Sequence, residues 1–195
     1  MVTELRIYFE GDNQLRPGFH GFLKEMKAAA AAGKKRCRFQ LIEAKGTPVQ
    51  DFRDALRTHP DAWNVLLLDS EAPIAGSLAD LCRRNKLDSA HEGSVFWMVV
   101  VMESWFLADI AALKAYYGEG FQENAATGNP EVEKILKADV YSKLKSATKN
   151  TKPGQYHKTR HAPALLGAID VNLVKAAAPN CERMFRMILG KLAEN

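Results

Sequence analysis

The sequence predicts an α/β fold, a mainly parallel four-stranded sheet flanked by helices and continued by a helical C-terminal half. Three observations predict it. Short apolar runs with the β-branched and aromatic content of buried strands alternate with helical patterns over the first 105 or so residues. Three of these runs end on an acid: Leu5–Phe9 on Glu10-Gly11, Trp63–Leu68 on Asp69-Ser70-Glu71, and Ser94–Met102 on Glu103-Ser104-Trp105. Beyond Glu103 the apolar period becomes helical for good. Strand–helix alternation builds parallel pairs through crossovers, so the acidic tips should share the edge outside the carboxyl ends of the strands. Open α/β sheets bind ligands there.

After the first strand, the loop Gly11–Pro17 leads into a helix over Gly18–Ala32, stopped by Gly33. The basic break Lys34–Arg36 precedes a second strand, Cys37–Glu43, with Phe39, Leu41 and Ile42 apolar. Gly46-Thr47-Pro48 reads as a turn, and Val49–Thr58 as an amphipathic helix with Phe52, Ala55 and Leu56 inward. The third strand is followed by a loop around Pro73 and Gly76 and a helix near Ser77–Arg84. The fourth, Val95–Met102, is the most hydrophobic and is expected inside the sheet. Trp105, Leu107, Ala108, Ala111, Ala112 and Ala115 suit a helix ending at Gly118. Further helices are expected over Pro130–Ala138, Val140–Ala147, Ala162–Ile169, Val171–Ala177 and Cys181–Ala193, with Lys149–Tyr156 a loop around Pro153 and Gly154. The layout is a single domain, residues 1–195: an α/β core to about residue 105 and a helical extension, 106–195, packed on it.

At 195 residues, 47% hydrophobic and 26% charged, the chain has the composition of a soluble globular domain. Its longest apolar run is too short to cross a bilayer, so no membrane association is expected. Cys37, Cys82 and Cys181 are odd in number, widely spaced and match no zinc pattern, as expected of reduced thiols in a cytoplasmic protein. The net charge of +4 is uneven: residues 134–161 hold eight Lys/Arg against Asp139, a balance of +7, which leaves −3 for the remainder. A basic segment beside an acidic edge suits a site for metal and polyanion together; a solvated lysine-rich surface is the plainer alternative.

Carboxylates crowded on one edge repel unless a cation or proton intervenes, and Mg²⁺, or Mn²⁺, is the simplest hard cation for oxygen ligands. Asp69 and Glu71 flank Ser70, so on an extended strand end they project to the same side and suit a divalent cation. An N-cap role for Asp69 is the alternative. Glu103 ends a very apolar strand, and burying it unpaired would be costly; metal, Lys158 or Arg160 are the candidate compensators. Asp109 could face the same cleft only loosely, and helix-surface pairing competes. Trp105 and Phe106 read as core rather than a base-stacking platform. In Tyr156-His157-Lys158-Thr159-Arg160-His161, Lys158, Arg160, His157 and the nearby Lys152 suit phosphate, and His161 could protonate a leaving oxygen. A zinc pair of His157 and His161 is poorly supported, because the stretch reads as a loop and no Glu lies between them. His20, His59 and His91 read as surface or cap residues. No phosphate loop, Gly-x-Gly-x-x-Gly or Gly-x-Ser-x-Gly is present, which argues against an intrinsic ATPase, a Rossmann dehydrogenase and an α/β-hydrolase.

Glu-Gly after the first strand, Asp-x-Glu after the third and a further acid after the fourth resemble the Toprim domain of topoisomerases, primases and overcoming-lysogenization-defect nucleases. Over nearly the whole chain the sequence resembles more closely a bacterial Toprim-like family defined only as a domain of unknown function. That resemblance rests on Phe9-Glu10-Gly11, Gly18-Phe19-x-x-Phe22-Leu23, Leu66-Leu67-Leu68-Asp69-Ser70-Glu71-x-Pro73 and Met102-Glu103-Ser104-Trp105-Phe106-Leu107-Ala108-Asp109. It continues through Ala115-Tyr116-Tyr117-Gly118-x-Gly120-Phe121, Tyr156-His157-Lys158-x-x-His161, Leu165-Leu166 and Ile169-Asp170. The resemblance implies Glu10 as metal ligand or general base, and members of the family are suspected partners of ATPases in phage defence. Two departures stand out. Gln14 occupies the place of a second acid, and Asp69-x-Glu71 replaces the usual Asp-x-Asp, which puts two-metal geometry in doubt.

Two functions are therefore expected to compete. One is a Mg²⁺-dependent nuclease acting on DNA or RNA, with Glu10, Lys158 and His161 in catalysis and Asp69, Glu71, Glu10 and Glu103 on metal. The other is a non-catalytic Toprim-like adaptor docking on an ATPase. In either case the cluster without metal should be strained, with at least one carboxylate pKa raised by its neighbours.

Overall fold

A computed structural model describes residues 2–33, 36–44 and 47–194. Lys34 and Lys35 of the basic break and Gly46 of the expected turn lie outside the described residues. The strands are β1 (Glu4–Glu10), β2 (Arg38–Ala44), β3 (Trp63–Asp69) and β4 (Val95–Met98). The helices are α1 (Arg16–Phe22), α2 (Lys24–Ala32), α3 (Pro48–Thr58), α4 (Leu78–Arg84), α5 (Ile110–Tyr117), α6 (Glu123–Ala126), α7 (Lys137–Thr148), α8 (Lys158–Ala168), α9 (Val171–Ala177) and α10 (Pro179–Ala193). Every strand pair is parallel and the order is β2-β1-β3-β4.

The expected α/β architecture is present: a four-stranded parallel sheet flanked by helices. Local chemistry accounts for several boundaries. Pro48 opens α3 at a position where a missing N–H costs nothing. Ser77 and Asp80 form a reciprocal capping box at the start of α4.

Four expectations need correcting, the first being the helix over Pro130–Ala138, where a 3-10 turn, Val132–Lys134, precedes α7 instead. Val95–Met102 is not an internal strand: β4 ends at Met98 and lies at the sheet edge. Its apolar continuation, Val99 to Met102, is equally buried but leaves the strand, with Val100 held by Ser70 and Glu71 just beyond β3. The single helix expected over Gly18–Ala32 is two, bent at Leu23, so that α1 crosses α8 while α2 packs on α10. The helix expected from Glu103 to Gly118 starts as a 3-10 segment, Met102–Ala108, and becomes α-helical only after Asp109.

One apolar core runs from Val2 to Leu192. Phe9 meets Phe19 at 4.7 Å, and Phe22 stacks on Trp105, also at 4.7 Å. Trp105 and Phe106 are fully buried, in keeping with their reading as core. The α1–α8 crossing is close because it is lined by glycines. A Cβ on Gly18 would stand 2.5 Å from the Pro163 carbonyl, and one on Gly21 would stand 3.0 Å from Gly167 Cα. This crossing carries the N-terminus of α8, with Lys158, toward the acidic edge of the sheet.

Candidate functional site

The carboxyl ends of β1 and β3 are neighbours, which brings Glu10 and Asp69 together as expected. Glu10 Oε2 accepts the Asp69 backbone N–H at 3.1 Å, and Asp69 Oδ1 accepts the Met102 N–H at 2.8 Å. Gly11 follows Glu10 with φ 140°, a conformation that favours glycine, and lets the chain turn away directly after the carboxylate.

Between β3 and the segment after β4 the backbone is stitched tightly. Ser70 N–H donates to Met98 O, Glu71 N–H to Val100 O, and Val100 N–H to Ser70 Oγ. Glu71 and Val100 both sit in the left-handed region, at φ 66° and 67°. For β-branched Val100, fully buried, that is a strained backbone next to the acidic cluster. The turn at Glu71 also breaks the strand alternation that would have set it beside Asp69. Its carboxylate is exposed and pairs with Lys137 of α7. Glu71 is thus not brought into the cluster with Glu10, Asp69 and Glu103.

Glu103 joins the cluster from the 3-10 segment, fully buried. Its Oε1 accepts the Tyr156 hydroxyl at 3.1 Å and faces Lys158 Nζ at 3.5 Å. Its Oε2 has no partner among the described residues. Tyr141 of α7 also faces it, and the phenols of Tyr141 and Tyr156 are held above the usual range, first by burial and then by Glu103. The Asp69 carboxyl is pushed up to about 8. Burial is the main cause; Glu103 and Glu10 add to it, while Lys158 and the Met102 amide oppose it. The expected strain is there, though burial contributes more than the neighbours do. Neither Tyr141 nor Tyr156 is legible in the sequence as a partner of Glu103. Tyr156 at least stands in the 156–161 motif; nothing in the sequence marks Tyr141.

The motif 156–161 is not a loop: Lys158 to His161 form the first turn of α8, with His157 at its N-cap. His161 is buried. Its Nδ1 accepts the His157 backbone N–H at 3.0 Å and lies 3.0 Å from the Tyr117 hydroxyl, which must therefore donate to it. Burial, and after it the Arg160 charge, hold this imidazole below its usual range. Its polar contacts thus anchor the loop before α8. Lys152, His157 and Arg160 are exposed near Lys158 in the chain, with Thr159 Oγ1 3.0 Å from His157 Nδ1. Asp109 is spent on structure, capping α5 through Ala112 N–H and accepting Asp170 N–H at 2.8 Å. His59 caps the end of α3 and His91 packs against Phe52.

Among the described residues, no three His, Cys, Asp or Glu side chains stand arranged to hold a metal ion. Glu10, Asp69 and Glu103 each give an oxygen to a protein donor instead. None of the helices described is long and apolar enough to cross a membrane.

The family described as "Domain of unknown function (DUF4276)" matches residues 12–189. No curated protein and no solved structure matches the chain. With most of its length covered, the chain belongs to that DUF4276 family.

Proposed function

We propose that this DUF4276 family member is a Toprim-like, Mg²⁺-dependent nuclease that cleaves phosphodiester bonds in DNA or RNA. The observation that carries the reading is the meeting of Glu10, Asp69 and Glu103 with Lys158 at the carboxyl edge of a parallel sheet. Their donor set is all hard oxygen, and among the described residues Glu103 Oε2 is a buried carboxylate oxygen that makes no hydrogen bond, which fits Mg²⁺ or Mn²⁺. Bound there, the ion would activate water and neutralise charge on the phosphate. Lys158 would meet the scissile phosphate, and exposed Lys152, Arg160 and His157 would hold the flanking backbone. Three buried free cysteines suit a reducing, cytoplasmic setting. The Toprim-like resemblance adds an ATPase partner and a role in phage defence to the proposal.

A second reading, a non-catalytic adaptor that docks on an ATPase, is favoured by Glu71 turning outward to Lys137 and by the engagement of the carboxylates with protein donors. The deciding experiment incubates purified protein with labelled DNA and RNA in Mg²⁺ or Mn²⁺ against EDTA. The nuclease reading expects metal-dependent cleavage, lost by on the order of 100-fold or more in Asp69→Asn. It also expects Mg²⁺ to raise the melting temperature of the wild type and not of Asp69→Asn. Cleavage only when an ATPase partner is added would make the chain an effector subunit. No cleavage in any mixture, with equal melting shifts in both proteins, would leave the adaptor.

A further inference from the structure

Lys158 is the cation already present at the acidic cluster, and its position there is unusual. Its ammonium lies in the first turn of α8, at the positive end of the helix dipole, where a cation is disfavoured. What holds it is Glu103 Oε1 at 3.5 Å and the nearby charge of Asp69. Tyr156 independently secures the same Glu103 oxygen, so the carboxylate keeps its orientation without Lys158. Among the described residues Glu103 Oε2 makes no hydrogen bond within the usual distance, and only the Tyr141 phenol faces the same carboxylate besides Tyr156, so one ammonium leaves the buried group incompletely compensated. The Lys158 side chain is itself 43% exposed. It can therefore swing outward on its four-carbon stem with α8 at rest.

We infer that Lys158 is a placeholder for a divalent cation: it sits beside Glu103 in the cation-free protein, gives way when the ion binds, and is thereby freed for a substrate phosphate. This rests on the metal-site reading of Glu10, Asp69 and Glu103 above. A divalent ion and an ammonium on the same Glu103 carboxylate repel each other where the carboxylates are already limiting. Exchange thus couples metal loading to the appearance of a free positive charge at the mouth of the site.

The test uses the full chain and two measurements. Mn²⁺ affinity is measured by calorimetry for wild type, Lys158→Met and Glu103→Gln. In the wild type, acylation of the Lys158 amine is quantified by mass spectrometry with and without Mg²⁺, against exposed Lys145 and Lys152 as references. Placeholder exchange expects Lys158→Met to bind Mn²⁺ on the order of tenfold tighter, Glu103→Gln to bind weakly, and Mg²⁺ to raise Lys158 labelling several-fold while the references stay level. Mn²⁺ binding that Lys158→Met does not tighten, with Lys158 labelling unmoved by Mg²⁺, overturns the exchange and leaves the metal site standing. Absence of Mn²⁺ binding in the wild type and in Lys158→Met overturns both. Should Lys158→Met fail to fold, the labelling of the wild type decides alone.

Discussion

Burial of the Asp69 carboxyl beside Glu103 and Glu10 has a measurable consequence. A carboxyl with a raised folded-state pKa holds its proton more tightly folded than unfolded. Its contribution is therefore complete below the unfolded value and lost as pH climbs through about 8. Metal-free wild type should lose stability between about pH 5 and pH 8, with a slope of up to about 1.4 kcal/mol per pH unit for one proton. Asp69→Asn keeps an acceptor for the Met102 amide and should show a flatter profile in denaturant melts across that window. A wild-type profile as flat as the variant's would mean that Asp69 ionises freely. Tyr156→Phe removes the hydroxyl that serves buried Glu103. It should cost about 1–3 kcal/mol in urea unfolding, the range for depriving a buried polar group of its partner. A negligible loss would show that Glu103 finds water or another donor. The sequence announced Glu10 and Asp69 through the strands they end, and Glu103 through an apolar run of which only the first part is strand, yet it misjudged Glu71. Side-chain direction beyond a strand depends on turn dihedrals, and the left-handed backbone of Glu71 has no residue signature as glycine would.

At the scale of elements, the α1–α8 crossing governs where Lys158 stands. Gly18→Ala would place a methyl 2.5 Å from the Pro163 carbonyl, backbone that cannot yield cheaply. It should destabilise by about 1–3 kcal/mol, as overpacking does, and lower nucleic-acid binding by displacing α8. Gly190→Ala in α10 meets nothing within 4 Å. It should stabilise by about 0.5–1 kcal/mol through helix propensity alone. Thermal melts of the two variants moving in opposite directions would support both statements; a neutral Gly18→Ala would show that the crossing is slack. The start of α8 was illegible for a physical reason. Pro153 and Gly154 argue for irregular chain, yet α8 opens four residues after Gly154 and carries Pro163 in its interior at the loss of the bond to the Thr159 carbonyl. β4 was overread because a run of apolar residues reports burial and not strand pairing, and residues 99–102 are buried beyond the end of the strand.

Across the whole molecule, the charge excess of residues 134–161 is smaller in effect than its +7 suggests. Lys134 pairs with Glu131, Lys137 with Glu71 and Lys158 with Glu103, while Lys143 keeps its charge beside the Thr127 carbonyl. Exposed Lys145, Lys149, Lys152 and Arg160 remain to meet a polyanion. Removing Lys152 and Arg160 together should weaken duplex binding and flatten the slope of log K against log salt by about 0.9 for each phosphate no longer neutralised. Lys134→Ala should leave that slope in place. An unchanged slope in the double variant would make this stretch a solvated surface. The sequence by itself determined the parallel α/β sheet and the gathering of Glu10 and Asp69 on one edge. Strand and helix periods are local, and parallel crossovers then oblige neighbouring strands to end on the same side. The tertiary structure alone decided that Glu71 faces out to Lys137 and that Glu103 meets Tyr156, and it chose Lys158 from the compensators the sequence had offered for Glu103. Such pairings depend on how a helix seats across the sheet, and residue spacing along the chain carries no record of that.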